Sequence, residues 1–171
     1  MKEFFDAAKS GDLILLKKYL NKNIDINKTY NEGFASIFNR LNIAEELIKN
    51  NALINLQTKE NWTALIFSSF YGHYDIAEIL LKNNADLNIK NKQGFDALLT
   101  AVFYKRINII KLLLEYNADV NTKDNEGFSP SIYSCNYDNA DILKLILKYN
   151  ADINDKANNG VNALMYAKRY C

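Results

Sequence analysis

The feature that most constrains this chain is a short sequence pattern that returns every 33 residues. Copies of Asn-Ala-Asp-aliphatic-Asn occupy 84–88, 117–121 and 150–154, and a diverged copy occupies 51–55. Glycines and aliphatic runs keep the same spacing, at Gly94, Gly127 and Gly160 and over 76–81, 109–114 and 142–147. A period of this length indicates stacked supersecondary units, each of which buries its apolar face against its neighbours.

The first complete 33-residue unit shows how a repeat is built. Thr63 is a predicted N-cap, because its hydroxyl can accept the backbone amides of the first helical turn. The helix is predicted to end at Gly72, which adopts a left-handed conformation at low cost. A second helix with a broad apolar face is predicted over 74–82, and Asn84 takes the place of a helix-ending glycine. The polar stretch that follows, up to Gly94, is predicted to project as a hairpin loop.

These elements resemble the ankyrin repeat, whose pattern includes Thr-Pro-Leu-His, Gly-His, an aliphatic run and Gly-Ala-Asp-Val-Asn. The matching residues are Thr63-Ala64-Leu65-Ile66, Gly72-His73, Ile76 to Leu81 and Asn84-Ala85-Asp86-Leu87-Asn88. One unit also keeps the proline, as Ser129-Pro130-Ser131-Ile132, at a helix start where its missing amide costs nothing. The resemblance covers essentially the whole chain, although Asn replaces the helix-ending Gly and most copies lack the Pro and His. It implies an all-α solenoid of stacked helix-turn-helix units joined by projecting β-hairpin-like loops.

The resemblance implies a single domain over residues 1–171. The predicted units are an N-terminal cap at 1–29, a shortened repeat at 30–57, full repeats at 58–90, 91–123 and 124–156, and a half-repeat C-cap at 157–171. In the shortened repeat, 28 residues instead of 33 separate Asn27 from Asn55.

Two placements of this gap fit the sequence. A match of Asn31-Glu32-Gly33-Phe34 to Asn125-Glu126-Gly127-Phe128 places the gap in the first helix. Keeping the 33-residue register instead sets Phe38 opposite Tyr71 and shortens the projecting loop. Loops absorb deletions more readily than packed helices, but the second placement buries Glu32.

Aromatic residues recur at positions that, by the resemblance, line a concave face. The column after each loop-glycine position contains Phe34, Trp62, Phe95, Phe128 and Val161. The column near the end of each first helix contains Tyr71, Tyr104, Tyr137 and Tyr170, and Phe70 and Phe103 precede two of these tyrosines. One interpretation is a continuous aromatic groove for a partner, because Tyr, Trp and Phe supply large contact area at low entropic cost. The other interpretation is packing between neighbouring repeats.

We take as candidate partner-binding residues Trp62, Phe70, Tyr71, Phe95, Phe103, Tyr104, Phe128, Tyr137 and Tyr170. The polar rim around them would consist of Lys59, Glu60, Lys92, Gln93, Asn125, Glu126 and Asn158. Because the signs of these charges are mixed, they do not predict a strongly charged partner.

The sequence predicts neither a catalytic site nor a cofactor or metal site. His73 is the only histidine and occupies the Gly-His position of the repeat, so we expect it to be structural. With one His and two distant Cys, an ordinary zinc cluster lacks ligands. The repeated aspartates are one unit apart, too far to share a calcium ion, and are predicted to form hydrogen bonds in turns: Asp86, Asp119 and Asp152.

Composition narrows the class of partner and the compartment. The net charge of +1 gives no basic surplus for nucleic acid, and the interrupted apolar runs predict no membrane span. Glu3 and Asp6 stand where a signal peptide needs an apolar core. Cys135 and Cys171 make a poor disulfide framework, which favours a reducing cytoplasm.

The sequence as a whole predicts a cytoplasmic, monomeric, non-catalytic module that binds another protein on its concave, aromatic-rich face. The alternative function is structural self-association, through the aromatic face or through the open C-terminal half-repeat.

Overall fold

A computed structural model of the chain describes residues 2–20, 38–136 and 139–167, with the side chains of all of these except 2–5 and 136. The described residues form ten helices and no strand. The chain divides into two compact units, Met1–Asp86 and Leu87–Cys171, which are described separately below. Both placements of the five-residue gap concern residues 21–37, which lie outside the described part.

The helices follow the 33-residue period in both units. Unit 1 contains α1 (Lys2–Ser10), α2 (Leu13–Leu20), α3 (Leu41–Lys49), α4 (Ala64–Tyr71) and α5 (Tyr74–Lys82). Unit 2 contains α6 (Ala97–Phe103), α7 (Ile107–Glu115), α8 (Pro130–Asn136), α9 (Ala140–Leu147) and α10 (Ala163–Ala167). Helices α1 and α2, α4 and α5, α6 and α7, and α8 and α9 pack as pairs. Neighbouring pairs then pack on each other: α3 contacts α2 and α5, and α8 contacts α6 and α10.

The helix boundaries arise from the local chemistry that the sequence predicts. The Thr63 hydroxyl accepts the Ile66 amide at 3.2 Å, and Gly72 ends α4 with φ of 81°. Helix α8 begins at Pro130, as predicted. Asn84 adopts φ of 64°, which confirms that it replaces a helix-ending glycine.

The same left-handed asparagine follows each of four second helices. Its φ is 61° to 64° at Asn51, Asn84, Asn117 and Asn150. The next residue is always alanine, whose amide donates back to a carbonyl of the last helical turn, as Ala85 does to Leu80 at 3.0 Å. Asn tolerates this conformation better than other residues with a Cβ, so the chain reverses without glycine.

A tight turn opens each full repeat. The Asn91 amide donates to the Phe95 carbonyl at 2.9 Å, and the Asn91 side-chain oxygen accepts the amides of Gln93 and Phe95 at 3.0 and 2.9 Å. Thr58 and Asp124 make the equivalent bonds with their side-chain oxygens. These loops are therefore held by side-chain-to-backbone bonds, and the isolated pair Lys156–Asn162 is the β-bridge that the described residues contain.

Aliphatic side chains at 33-residue spacing form the core of both units. Ile43 and Ile76 in unit 1, and Ile109 and Ile142 in unit 2, are each at most 1% exposed. They lie on second helices, on the faces that meet the paired first helix and the adjacent repeat. The apolar faces predicted from the periodicity are thus the buried ones.

In unit 2, consecutive turns pack directly on each other. The Asn125 amide donates to the Gln93 carbonyl at 3.2 Å, and its side-chain amide donates to the Lys92 carbonyl at 2.7 Å. Gly94 lies against this contact, since a Cβ added there would stand 2.4 Å from the Asn125 nitrogen. Gly160 has a similar φ, 82° against 86°, but a Cβ added there meets nothing within 4 Å.

Asp96 is a buried acid that joins two repeats of unit 2. It is 4% exposed, and one carboxylate oxygen accepts the Leu99 amide at 2.8 Å as the N-cap of α6. The other carboxylate oxygen accepts the hydroxyl of Thr122. Burial raises the pKa of Asp96, an effect that the Thr122 hydroxyl, the Leu99 amide and the charge of Lys90 oppose without cancelling it.

We expect Gly94→Ala to destabilise the protein more than Gly160→Ala. Both substitutions place a Cβ at positive φ, which costs about 1–2 kcal/mol. Only Gly94→Ala also forces the Asn125 backbone away, and overpacking of this kind costs about 1–3 kcal/mol more. Urea denaturation of both variants measures the difference, and equal losses of unfolding free energy would show that the turn contact does not stabilise unit 2.

We expect Asp96→Asn to flatten the pH dependence of stability. The pKa of Asp96 is raised in the folded state, so the carboxyl stabilises the fold fully below its unfolded pKa of about 3.9. This contribution is lost as the pH rises through the folded pKa. Between about pH 4 and about pH 7, the wild type should therefore lose unfolding free energy relative to Asp96→Asn. Urea denaturation across this range tests the sign, and a relative gain by the wild type contradicts it.

Candidate partner-binding surface

Unit 1 contains a chain of aromatic contacts that starts at its single tryptophan. The indole of Trp62 lies 4.9 Å from the Phe67 ring and 5.6 Å from the Phe70 ring, measured between centroids. Phe70 in turn contacts Tyr71 edge to face at 4.8 Å, and Tyr71 stacks on His73 at 5.6 Å with 12° between the ring planes. Helix α4 and the turn before it therefore present one aromatic cluster.

A cleft of about 240 Å³ opens beside Trp62. Its lining consists of Thr58, Lys59, Glu60, Trp62 and Phe67. The Thr58 hydroxyl accepts the Trp62 amide at 3.0 Å and so fixes the backbone from which the indole projects. Cofactor and small-molecule sites usually span about 300–1,000 Å³, so this cleft fits one inserted side chain better than a cofactor.

Unit 2 contains a second aromatic cluster, centred on Tyr133 of α8. The Tyr133 ring lies 5.4–5.7 Å from the rings of Phe95, Phe103 and Phe128. Its hydroxyl donates to the Asp124 carboxylate at 2.5 Å, the same carboxylate that holds the turn. Tyr133 is 8% exposed, so the three phenylalanines surround a buried ring.

The cluster of unit 2 also reaches solvent. Phe103 contacts Tyr104 at 5.1 Å, and Phe128 contacts Tyr166 of α10 at 6.3 Å. Phe95 and Phe103 contact each other edge to face at 5.4 Å. Packing between repeats and exposure to a partner therefore occur in one cluster, at different depths.

Exposure separates the candidate residues into two groups. Tyr71 is 41% exposed and Tyr104 is 39% exposed, so both offer ring surface to a partner. The half-buried group lies beneath or beside them and consists of Trp62, Phe70, Phe95, Phe103 and Phe128. Tyr137 and Tyr170, together with Phe34 of the column after the glycines, lie outside the described residues.

A third column at the same spacing was not recognised in the sequence. It contains Phe67, Thr100, Tyr133 and Tyr166, each 33 residues from the next. The signal is weak because Thr100 interrupts the aromatic series, and its hydroxyl donates instead to the Asp96 carbonyl at 2.6 Å. Aromatic residues inside first helices also look like ordinary core positions until their ring contacts are known.

The predicted polar rim is exposed at all seven of its positions. Lysines of unit 2 form an additional series that the sequence did not reveal, because each reaches into the next repeat. The Lys90 ammonium donates to the Lys123 carbonyl at 2.6 Å, and the Lys123 ammonium donates to the Lys156 carbonyl at 3.3 Å and pairs with Asp155. These cations stabilise the repeat-to-repeat contact, so they add no uniform positive field to the surface.

The described residues hold no cluster of three or more His, Cys, Asp or Glu side chains that could bind a metal ion. The predicted turn role is confirmed for two aspartates: the Asp119 and Asp152 carboxylates accept the amides of Asn121 and Asn154 at 2.9 and 2.8 Å. Cys135 is half-buried in α8, and burial raises the pKa of its thiol, which disfavours the reactive thiolate. None of the described helices has the length and apolar character that a membrane crossing requires.

We expect Tyr133→Ala to destabilise the protein by about 3–5 kcal/mol and Tyr133→Phe by about 1–2 kcal/mol. The alanine variant removes the ring that three phenylalanines contact, whereas the phenylalanine variant removes only the bond to Asp124. Urea denaturation measures both losses. If the two variants were equally stable, the ring contacts of Tyr133 would not be the main interaction in the cluster.

Comparison with known protein families gives a match to the family described as ankyrin repeats, three copies, over residues 4–91, 33–124 and 98–171. The matched segments overlap and together extend from residue 4 to residue 171. A comparison with curated proteins gives no match.

Proposed function

Because the chain belongs to the ankyrin-repeat family, whose repeats generally mediate protein–protein interaction, we propose that it binds a partner protein through its aromatic residues. Proteins built from these repeats are typically non-catalytic interaction modules, and we propose the same of this chain. The partner-binding residues that we propose are Trp62, Phe70, Tyr71, Phe95, Phe103, Tyr104, Phe128, Tyr137 and Tyr170. For Tyr137 and Tyr170 the support is the 33-residue spacing alone.

The observation that carries the proposal is a pair of exposed tyrosines with the same local support. Tyr71 follows Phe70 and Tyr104 follows Phe103, with ring centroids 4.8 and 5.1 Å apart. In each pair the phenylalanine is half-buried and the tyrosine is about two-fifths exposed. A fixed aromatic ring that already faces solvent loses little conformational freedom on binding, which is why tyrosine is enriched at interfaces.

Trp62 is the second contribution to the proposed surface. Tryptophan, tyrosine and arginine dominate the binding energy of protein interfaces, most often where one side chain fills a well-packed cleft. The cleft at Trp62 has an apolar wall formed by the indole and Phe67, with Lys59 and Glu60 at its edge. We propose that it accepts one apolar side chain of the partner.

Three phenylalanines of the proposed surface would act mainly as its support. Phe95, Phe103 and Phe128 all contact the buried Tyr133 ring, so part of each ring is already covered. The half-exposed edges that remain would add apolar area around the tyrosines. The rim charges have mixed sign, which favours a partner surface that is apolar with polar edges over one that is strongly acidic or basic.

We expect Tyr71→Ala, Tyr104→Ala and Trp62→Ala each to weaken partner binding by about tenfold or more, since truncated aromatic anchors cost over about 1.4 kcal/mol. The partner would be captured from cells of the native organism, identified by mass spectrometry, and purified for titration calorimetry. Tyr74→Ala is the matched control, because Tyr74 is 39% exposed but begins α5, away from both aromatic clusters.

Circular dichroism should show that all four variants keep the helical content of the wild type. Unchanged affinity in the first three variants, or an equal loss in Tyr74→Ala, would contradict the proposed surface. Loss of helical content in Trp62→Ala would be followed by Trp62→Phe, which keeps an aromatic ring against Phe67 and shortens the side chain that faces the cleft.

A further inference from the structure

The last two helices of unit 2 present apolar side chains to solvent. On α10, Leu164 is 70% exposed and Met165 is 57% exposed. Leu147 at the end of α9 is 41% exposed, and Ile153 in the segment that follows is 38% exposed. We refer to these four side chains as the α9–α10 surface.

The counterparts of these residues one repeat earlier are buried. Thirty-three residues before each of them, the exposed fractions are 2% at Leu114, 8% at Val120, 1% at Ser131 and 0% at Ile132. The helices that carry them begin and end at equivalent positions, so local conformation does not explain the difference. The difference is the neighbour: α8 is covered by α6 on one side and by α10 on the other.

This comparison indicates what the α9–α10 surface accommodates. Positions of this kind are buried in unit 2 by aliphatic and aromatic side chains of another helix pair in the same register. None of the four exposed side chains is charged, and the neighbouring Leu143 and Leu145 of α9 are themselves only half-buried. Single exposed apolar residues are common, but a set at positions that are buried in the preceding repeat is typical of an interaction surface.

We propose that the α9–α10 surface binds the same surface of a second copy of the chain, forming a two-fold symmetric homodimer. Two-fold pairing brings apolar side chains against apolar side chains and needs no second complementary patch. Head-to-tail pairing would instead bring this surface to α1 and α2, where Asp6, Lys9 and Lys18 are exposed. Burying those charges without partners would cost more than the apolar contact provides.

This pairing is independent of the proposed aromatic surface. Tyr71 and Trp62 belong to unit 1, whereas the α9–α10 surface belongs to unit 2, and Tyr104 precedes α7. The expectation of a monomer, drawn from the sequence, is thereby replaced by a weak dimer. The sequence could not show which aliphatic positions a neighbouring repeat covers.

Analytical ultracentrifugation of the 171-residue chain at rising concentration, up to about 1 mM, tests the proposal. We expect the wild type to show a monomer–dimer equilibrium. The double variant Leu164→Glu with Met165→Glu should raise the dimer Kd by at least about tenfold, because each charge enters the interface twice. Ile14→Glu is the matched control, since Ile14 is an apolar residue of α2 that is 85% exposed, and it should leave the Kd unchanged.

Thermal melts followed by circular dichroism check that the double variant remains folded, which we expect because both side chains already face solvent. A second variant, Leu147→Lys, should also weaken the dimer and so tests the same surface from α9. A wild type that stays monomeric at all concentrations overturns the proposal. So does association that survives the double variant, that Ile14→Glu abolishes, or that continues beyond the dimer into longer assemblies.

Discussion

Burial of each aliphatic face by a neighbouring repeat is the constraint on which the other features of both units depend. Helix pairs of eight or nine residues are too short to be stable alone, and each pair covers only part of its own isoleucine. The nearly complete burial of Ile76 and Ile109 therefore requires the repeats to keep a constant spacing. The left-handed asparagines, the turns closed by Asn91 and Asp124, and the lysine bonds between repeats all maintain that spacing.

Most of the fold could be predicted from the sequence because its determinants are local and repeated. Thr63, Gly72 and Asn84 act through their own backbone or the nearest turn, and the structure confirms all three. The predicted second helix over 74–82 has the same bounds in the structure. Bonds between repeats were not predictable in this way. The contact of Thr122 with Asp96 joins residues that neither the motif nor the period relates to each other.

The candidate surface was only partly accessible to sequence reasoning, because periodicity gives a position but not a depth. The two aromatic columns occupy equivalent positions, yet the tyrosines that end first helices are exposed and the rings that follow the glycines are half-buried. Tyr133 contacts more of the candidate rings than any of them contacts itself, and it was missed because Thr100 breaks its column. The repeat family was evident from the motifs, whereas the identity of a partner depends on surface chemistry that no motif records.

Tyr71 and Tyr104 occupy helix ends where the backbone is fixed by residues behind them, so the choice of side chain there is almost independent of folding. Such positions can vary in evolution at little cost in stability, while the phenylalanines beneath them and the turns beside them cannot. A scaffold with this division can acquire a new binding specificity by a few substitutions at helix ends. Protein engineers would find the same positions suitable for randomisation in a library.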